Sequence, residues 1–249
     1  MFLAIIPKKY VFRGKPFSMT ISQENPFENK QLLIPQSLSQ TVARYLEKKI
    51  IEGRLEPGVR IIPEELAKRF NVSKSPVREA LLSLEKDGFV SIIPRIGFFV
   101  SEIKLHDIEE IYPLRASLNA LMLRSIVEKG YGEDFIPHLK KILHEMELRV
   151  QEHDINGFYY LSVQLYEFLL DHCPNNRLKI ILNNIGKQVL RFRFMTMSQP
   201  GHIKIALERH KRLVKALKNQ DIPSITRFAE EIIYRALEVL RKSLRNKNL

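Results

Sequence analysis

The nine residues Ser73-Lys74-Ser75-Pro76-Val77-Arg78-Glu79-Ala80-Leu81 leave few structures open. Ser73 or Ser75 can cap a helix, and Pro76 is tolerated in its first turn, where a backbone N–H has no helical partner to lose. Val77, Ala80, Leu81 and Leu84 then fall on one helical face, and Gly88 stops the pattern. The opposite face shows Lys74, Ser75 and Arg78. Such a helix must cover its apolar side with neighbours and leave its polar side to solvent or a partner.

The flanking sequence supplies the neighbours. Leu38, Val42, Tyr45, Leu46, Ile50 and Ile51 recur at mostly three- and four-residue steps, predicting a helix from about Ser37 to Glu52 that ends at Gly53. After the turn Glu56-Pro57-Gly58, Ile62-Pro63 leads into a short helix from Glu64 to Phe70, and Asn71-Val72-Ser73 breaks the chain before the next one. On the other side, Phe89 to Ile93 and Phe98 to Val100 are rich in β-branched and aromatic residues. They flank Pro94-Arg95-Ile96-Gly97 as a hairpin with a four-residue tip. Three helices followed by a hairpin make a winged helix-turn-helix.

From His106 onward only helical periods are visible. Breaks at Gly130-Tyr131-Gly132, His153-Asp154, Pro174-Asn175-Asn176, Pro200-Gly201 and Asp221-Ile222-Pro223 delimit about six helices, an all-α bundle without the repeats of a solenoid. Residues 1–35, with five prolines or glycines and little periodicity, read as a loosely ordered arm in which Met19 is an alternative start. The expected fold is therefore mostly α: an arm over 1–35, a winged helix-turn-helix over 36–102 and a helical domain over 103–249.

Composition excludes more than it selects. In 249 residues, 40 lysines and arginines against 28 acids give a formal charge of +12, which puts a polyanion among the partners. The excess is spread through the chain, so charge does not locate the surface. The one cysteine, Cys173, excludes an internal disulfide framework and a multi-cysteine metal site, and fits a cytoplasmic protein. The apolar run Met1 to Ile6 is too short for a signal-peptide core, and no stretch approaches a membrane span.

The stretch 45–101 resembles the GntR-type transcription regulators. It carries Ile50-x-x-Gly53-x-Leu55-x-Pro57-Gly58, then Glu65-Leu66-Ala67, then the run from Ser73 to Leu81 and a glycine-tipped wing in register. The remainder is similar to the FCD subgroup, through Ile108-x-x-Ile111-Tyr112-x-Leu114-Arg115 and Glu208-x-His210-x-x-Leu213-x-x-Ala216-Leu217. The resemblance implies a DNA-binding regulator whose contacts are Ser73, Lys74, Ser75, Arg78, Arg95 and Gly97. Arg78 would read guanine. Relatives carry arginine where this chain has Lys74, and lysine lacks the arginine fork. They have a basic residue where this chain has Ile96, and some have arginine in place of Glu64, which removes a potential contact.

Many members of the subgroup hold a divalent metal through an aspartate and three histidines. The corresponding places here are Ser162, Tyr166, His210 and Ile232. One imidazole cannot hold such an ion alone, so neither metal nor cofactor is expected. An acidic effector would need fixed cations instead. Arg115, Arg191, Arg193 and His210 are the candidates, with Ser162 and Tyr166 as hydroxyl partners, although an arginine on a bundle helix is more often solvated than a ligand clamp.

The resemblance further implies a homodimer on a near-palindromic double-stranded DNA operator, answering to a small organic acid. Two other readings stand beside it: an enzyme housed in the bundle, or a non-specific binder of nucleic acid or anionic surfaces. No Ser/His/Asp arrangement, phosphate loop or His-Glu-x-x-His favours the enzyme.

Overall fold

The computed structural model describes residues 37–245; the expected arm over 1–35 lies outside them, as does the end of the basic run Arg241 to Lys247. The first helix, α1 (Leu38–Ile51), starts on a reciprocal cap. Ser37 Oγ accepts from the Gln40 N–H at 3.2 Å, while the Ser37 N–H donates to Gln40 Oε1 at 3.3 Å. α2 (Pro63–Phe70) has proline in its first turn and ends on Asn71, whose φ of 52° turns the chain into the next helix. α3 (Lys74–Lys86) begins after Ser73, which occupies the N-cap position in extended geometry, and not after Ser75.

A two-residue strand, β1 (Arg60–Ile61), precedes α2, and the hairpin consists of β2 (Val90–Ile93) and β3 (Gly97–Val100). The sheet order is β1-β3-β2, antiparallel throughout, so β3 is central. The hairpin tip is one residue shorter than expected. Ile93 pairs with Gly97, leaving Pro94-Arg95-Ile96 as the loop, with Arg95 at φ 66° and the Ile96 N–H donating to the Ile93 carbonyl at 3.0 Å. Proline at the first central position and a left-handed residue at the second is the order that a type II turn favours.

The small domain closes around Val42, Leu46 and Ile50 of α1, Val77, Leu81 and Leu84 of α3, and Phe89, all essentially shut off from solvent. Behind it stand α4 (Leu105–Lys129), α5 (Phe135–Gln151), α6 (Ile155–Asp171), α7 (Asn176–Met197), α8 (His202–Lys218) and α9 (Ile222–Arg245), six helices among the described residues. α4 lies along α9, α5 packs between α6 and α8, and α7 touches α4, α6, α8 and α9.

α7 is also the helix that reaches the winged domain, where it packs on α1. Lys187 pairs with Asp87 at 2.8 Å, and the buried Arg191 donates from Nη1 to the Ser101 carbonyl at 2.8 Å, on the strand exit that leads into α4. The bundle therefore meets the reading domain chiefly through α7, with Tyr160 of α6 adding a contact to Lys48 of α1, 5.7 Å from its ring centroid.

Candidate DNA-reading surface and ligand cavity

The N-terminus of α3 is built to face a partner. Ser73, Lys74, Ser75 and Arg78 are exposed, while Val77, Ala80, Leu81 and Leu84 bury the other side. Ser73 makes no side-chain cap bond, so its hydroxyl and the first N–H groups of α3 are left to an acceptor such as a phosphate. The Arg78 guanidinium lies 6.0 Å from the Phe98 ring centroid, which sets it between reading helix and wing.

Two contacts on this face escaped the sequence. Lys74 Nζ lies 2.8 Å from Glu64 Oε1, and this partner holds the Glu64 carboxyl below the usual carboxylate range. Glu64 thus does more than remove a contact, because it also engages the lysine that replaces the family's arginine. Arg60, on β1, donates from Nη2 to the Ile96 carbonyl at 2.7 Å and braces the wing tip beside the exposed Arg95 and the half-buried Gly97, whose φ of 131° suits glycine. A two-residue strand shows no alternation that could have announced Arg60.

In the bundle, α4, α6, α7, α8 and α9 enclose a cavity of roughly 100 Å³, room for several waters or a compact organic ion. Five of the six residues expected to bind an effector line it: Arg115, Ser162, Tyr166, Arg193 and His210. Arg191 is not among them. It sits two residues before Arg193, which turns it about 200° around α7, toward Ser101 and the winged domain. Burial lowers its pKa to about 10.

The Ser162 hydroxyl donates to the Tyr159 carbonyl at 2.7 Å, which leaves its oxygen as an acceptor toward the cavity. The sequence further missed Tyr112, Asn119, His202 and Arg209, which share the lining. Tyr112, Arg115 and Asn119 stand three and four residues apart, the spacing of one helical face, and that was their available signal.

The cavity's surface is mostly apolar, but its charged groups are all cations and several of its polar atoms are unpaired. Tyr166 lies between two guanidiniums, with Arg193 at 5.0 Å and Arg115 at 5.9 Å from its ring centroid. Burial, with Arg115 nearby, lowers Arg193 to about 10, so it remains a cation at neutral pH. His210 is pushed down to about 4 by burial and by Arg193 and Arg209, so it is neutral there. Burial raises the phenols of Tyr112 and Tyr166, which stay protonated donors.

The four places implied for a metal, Ser162, Tyr166, His210 and Ile232, all border this one cavity. As donors they do not fit a divalent ion: a single imidazole, a hydroxyl already donated to a carbonyl, a neutral phenol and an alkyl group. Among the described residues no three His, Cys, Asp or Glu side chains come together.

Residues 38–100 match the gntR family of bacterial regulatory proteins, and residues 110–235 match the FCD domain. The HTH-type transcriptional regulator YdhC of Bacillus subtilis is 30% identical over 71% of this chain and 79% of its own length. The gluconate operon transcriptional repressor of Bacillus subtilis is 27% identical, over 78% of this chain and 84% of the repressor. Among solved structures, Escherichia coli McbR superposes with a TM-score of 0.72 at 22% identity, covering 84% of this chain and 99% of McbR, which shows the shared fold.

Proposed function

The chain belongs to the GntR family of bacterial regulatory proteins, with an FCD domain behind its winged helix-turn-helix, and from that membership we propose that it is a ligand-responsive, sequence-specific regulator of transcription. The observation that carries this is the face of α3. Four polar side chains at the first turns of one helix stand beside a braced wing, on a helix whose other side is buried. Arg78 donates to a guanine edge, and Ser73, Ser75, Lys74, Arg95 and the backbone at Gly97 hold phosphate or groove.

In this reading residues 36–102 form the DNA-binding unit and 103–249 the sensing unit. The latter also joins two copies so that paired helices meet a near-palindromic operator in the cytoplasm. The effector is a small organic acid. The three arginines Arg115, Arg193 and Arg209 and the lack of any acid among the described lining residues support an anion, and the donor set supports binding without a metal.

Occupation of the cavity reaches DNA through α7, whose Arg193 faces the ligand while Arg191 and Lys187 grip the winged domain. The bundle binds and does not catalyse; its matched relatives are regulators, and Ser162 Oγ is held by a carbonyl instead of a base. Among the described residues no helix is long and apolar enough to cross a membrane.

Selection from random duplexes tests the reading. The wild type should enrich a two-fold related site, and Arg78→Ala should lose it. Uniform retention of all sequences, falling steeply with salt, would instead establish a non-specific polyanion binder.

A further inference from the structure

The cavity's charge has no counterweight. Arg115 and Arg193 both line it, and neither is paired with a carboxylate among the described residues, whereas Arg212 and Arg241 elsewhere in the bundle pair with Glu231 and Glu109. Arg209 is a third cation on the wall, with Glu231 close enough to offset it in part. Arg115 is only 5% exposed, and burying an unpaired guanidinium is costly. The tyrosine faces relieve that cost electrostatically, and Arg193 Nη1 donates to the Ser162 carbonyl at 3.4 Å, but no anion balances either charge.

The hydrogen bonding shows the same deficit. Six buried side-chain atoms among the described residues have no partner, and five of them are here: Tyr112 Oη, Arg115 Nε, Asn119 Oδ1, Tyr166 Oη and His210 Nδ1. Tyr112 and Asn119 are 0% and 7% exposed, so solvent does not satisfy them. Orphaned groups on three helices converging on one void describe a receptor awaiting its ligand.

We propose that the cavity takes a compact dianion, held directly by Arg115 and Arg193 with no bridging metal, while the phenols of Tyr112 and Tyr166 donate to its oxygens. This rests on reading the bundle as the effector domain and narrows the effector from an organic acid to a doubly charged one. Both guanidiniums approach the same Tyr166 ring, so one small molecule can reach both, and a monoanion would leave one positive charge uncompensated. The volume limits the ligand to a handful of heavy atoms, with its two charges on separate carboxylates or on one phosphoryl group.

The test uses the full chain, stripped with EDTA, in thermal melts and calorimetric titrations with malonate, succinate, inorganic phosphate, acetate and sodium chloride at matched ionic strength. At least one dianion should raise the melting temperature and bind roughly tenfold or more tighter than acetate, the worth of one added charge-assisted bond. A response to malonate or succinate alone places the charges on two carboxylates, and a response to phosphate places them on one phosphoryl group. Arg193→Gln should lose this preference while keeping operator affinity, which proves that it folds, and Arg193→Lys should recover part of it. Acetate binding as tightly as every dianion, or binding only after a divalent metal is restored, overturns the dianion and leaves an effector domain in place. No response to any anion overturns both, without touching DNA recognition.

Discussion

Arginine serves both ends of this molecule under opposite conditions. Arg78 stands on the surface of α3, hydrated until DNA arrives, and its presence costs the fold nothing. Arg115 and Arg193 are enclosed by five helices with no carboxylate beside them, so the bundle carries their desolvation in its own stability. In the proposed account the reading surface is complete before DNA arrives, whereas the cavity's unpaired groups are satisfied only by the effector. Substitutions should therefore have different signatures in the two regions.

The largest effect should come from the support beneath the reading helix. Leu81 is fully buried, and Leu81→Ala should cost about 2–5 kcal/mol in urea denaturation, abolishing operator binding while anion binding in the bundle persists. Joint loss of both would break the division.

Next is pH. His210 titrates at about 4 in the fold against about 6.5 unfolded, so above 6.5 both states are neutral and stability is complete. As pH falls from 6.5 to 4 the unfolded chain takes up a proton that the folded one refuses, and stability is lost, on the order of 2–3 kcal/mol. His202, lowered by burial and Arg209, adds in the same direction. On the DNA face, Glu64 is lowered, so its contribution is present above its unfolded pKa and is lost only in more acidic solution. Urea midpoints against pH should flatten between 6.5 and 4 in His210→Asn.

Arg78→Ala should then weaken the selected operator by about 1–3 kcal/mol in fluorescence anisotropy without moving the melting temperature. Arg193→Gln should do the reverse, raising the stability of the ligand-free protein by about 1 kcal/mol through removal of a buried unpaired charge. A fall in its melting temperature would show that Arg193 is satisfied without a ligand. The smallest effect belongs to Glu64→Ala. An exposed pair adds little to the fold, so stability should hardly change, while base preference shifts at the position the freed Lys74 reaches.

Legibility followed the same divide. The turn, cap and apolar face around Ser73 to Leu81 are written within nine consecutive residues, and each states its local geometry. The six helices of the bundle were legible for the same reason, through their breaks. What escaped was assembled across distance: Lys74 with Glu64 ten residues away, Arg60 with Ile96 across a sheet, and Arg209, His202 and Asn119 with Arg193 in the cavity. Arg191 was misplaced by sequence proximity, because neighbours two apart on a helix face opposite ways. The tip length of the wing depended on Gly97 pairing with Ile93, a register that composition does not reveal.

The central claim is that the two regions form one switch joined by α7. It is tested most directly by titrating the selected operator duplex with protein, by anisotropy, in the presence and absence of a dianion that raises the melting temperature. Operator affinity should change with the dianion in the wild type and stay constant in Arg193→Gln. An unchanged operator affinity in wild-type protein saturated with that dianion would contradict the account.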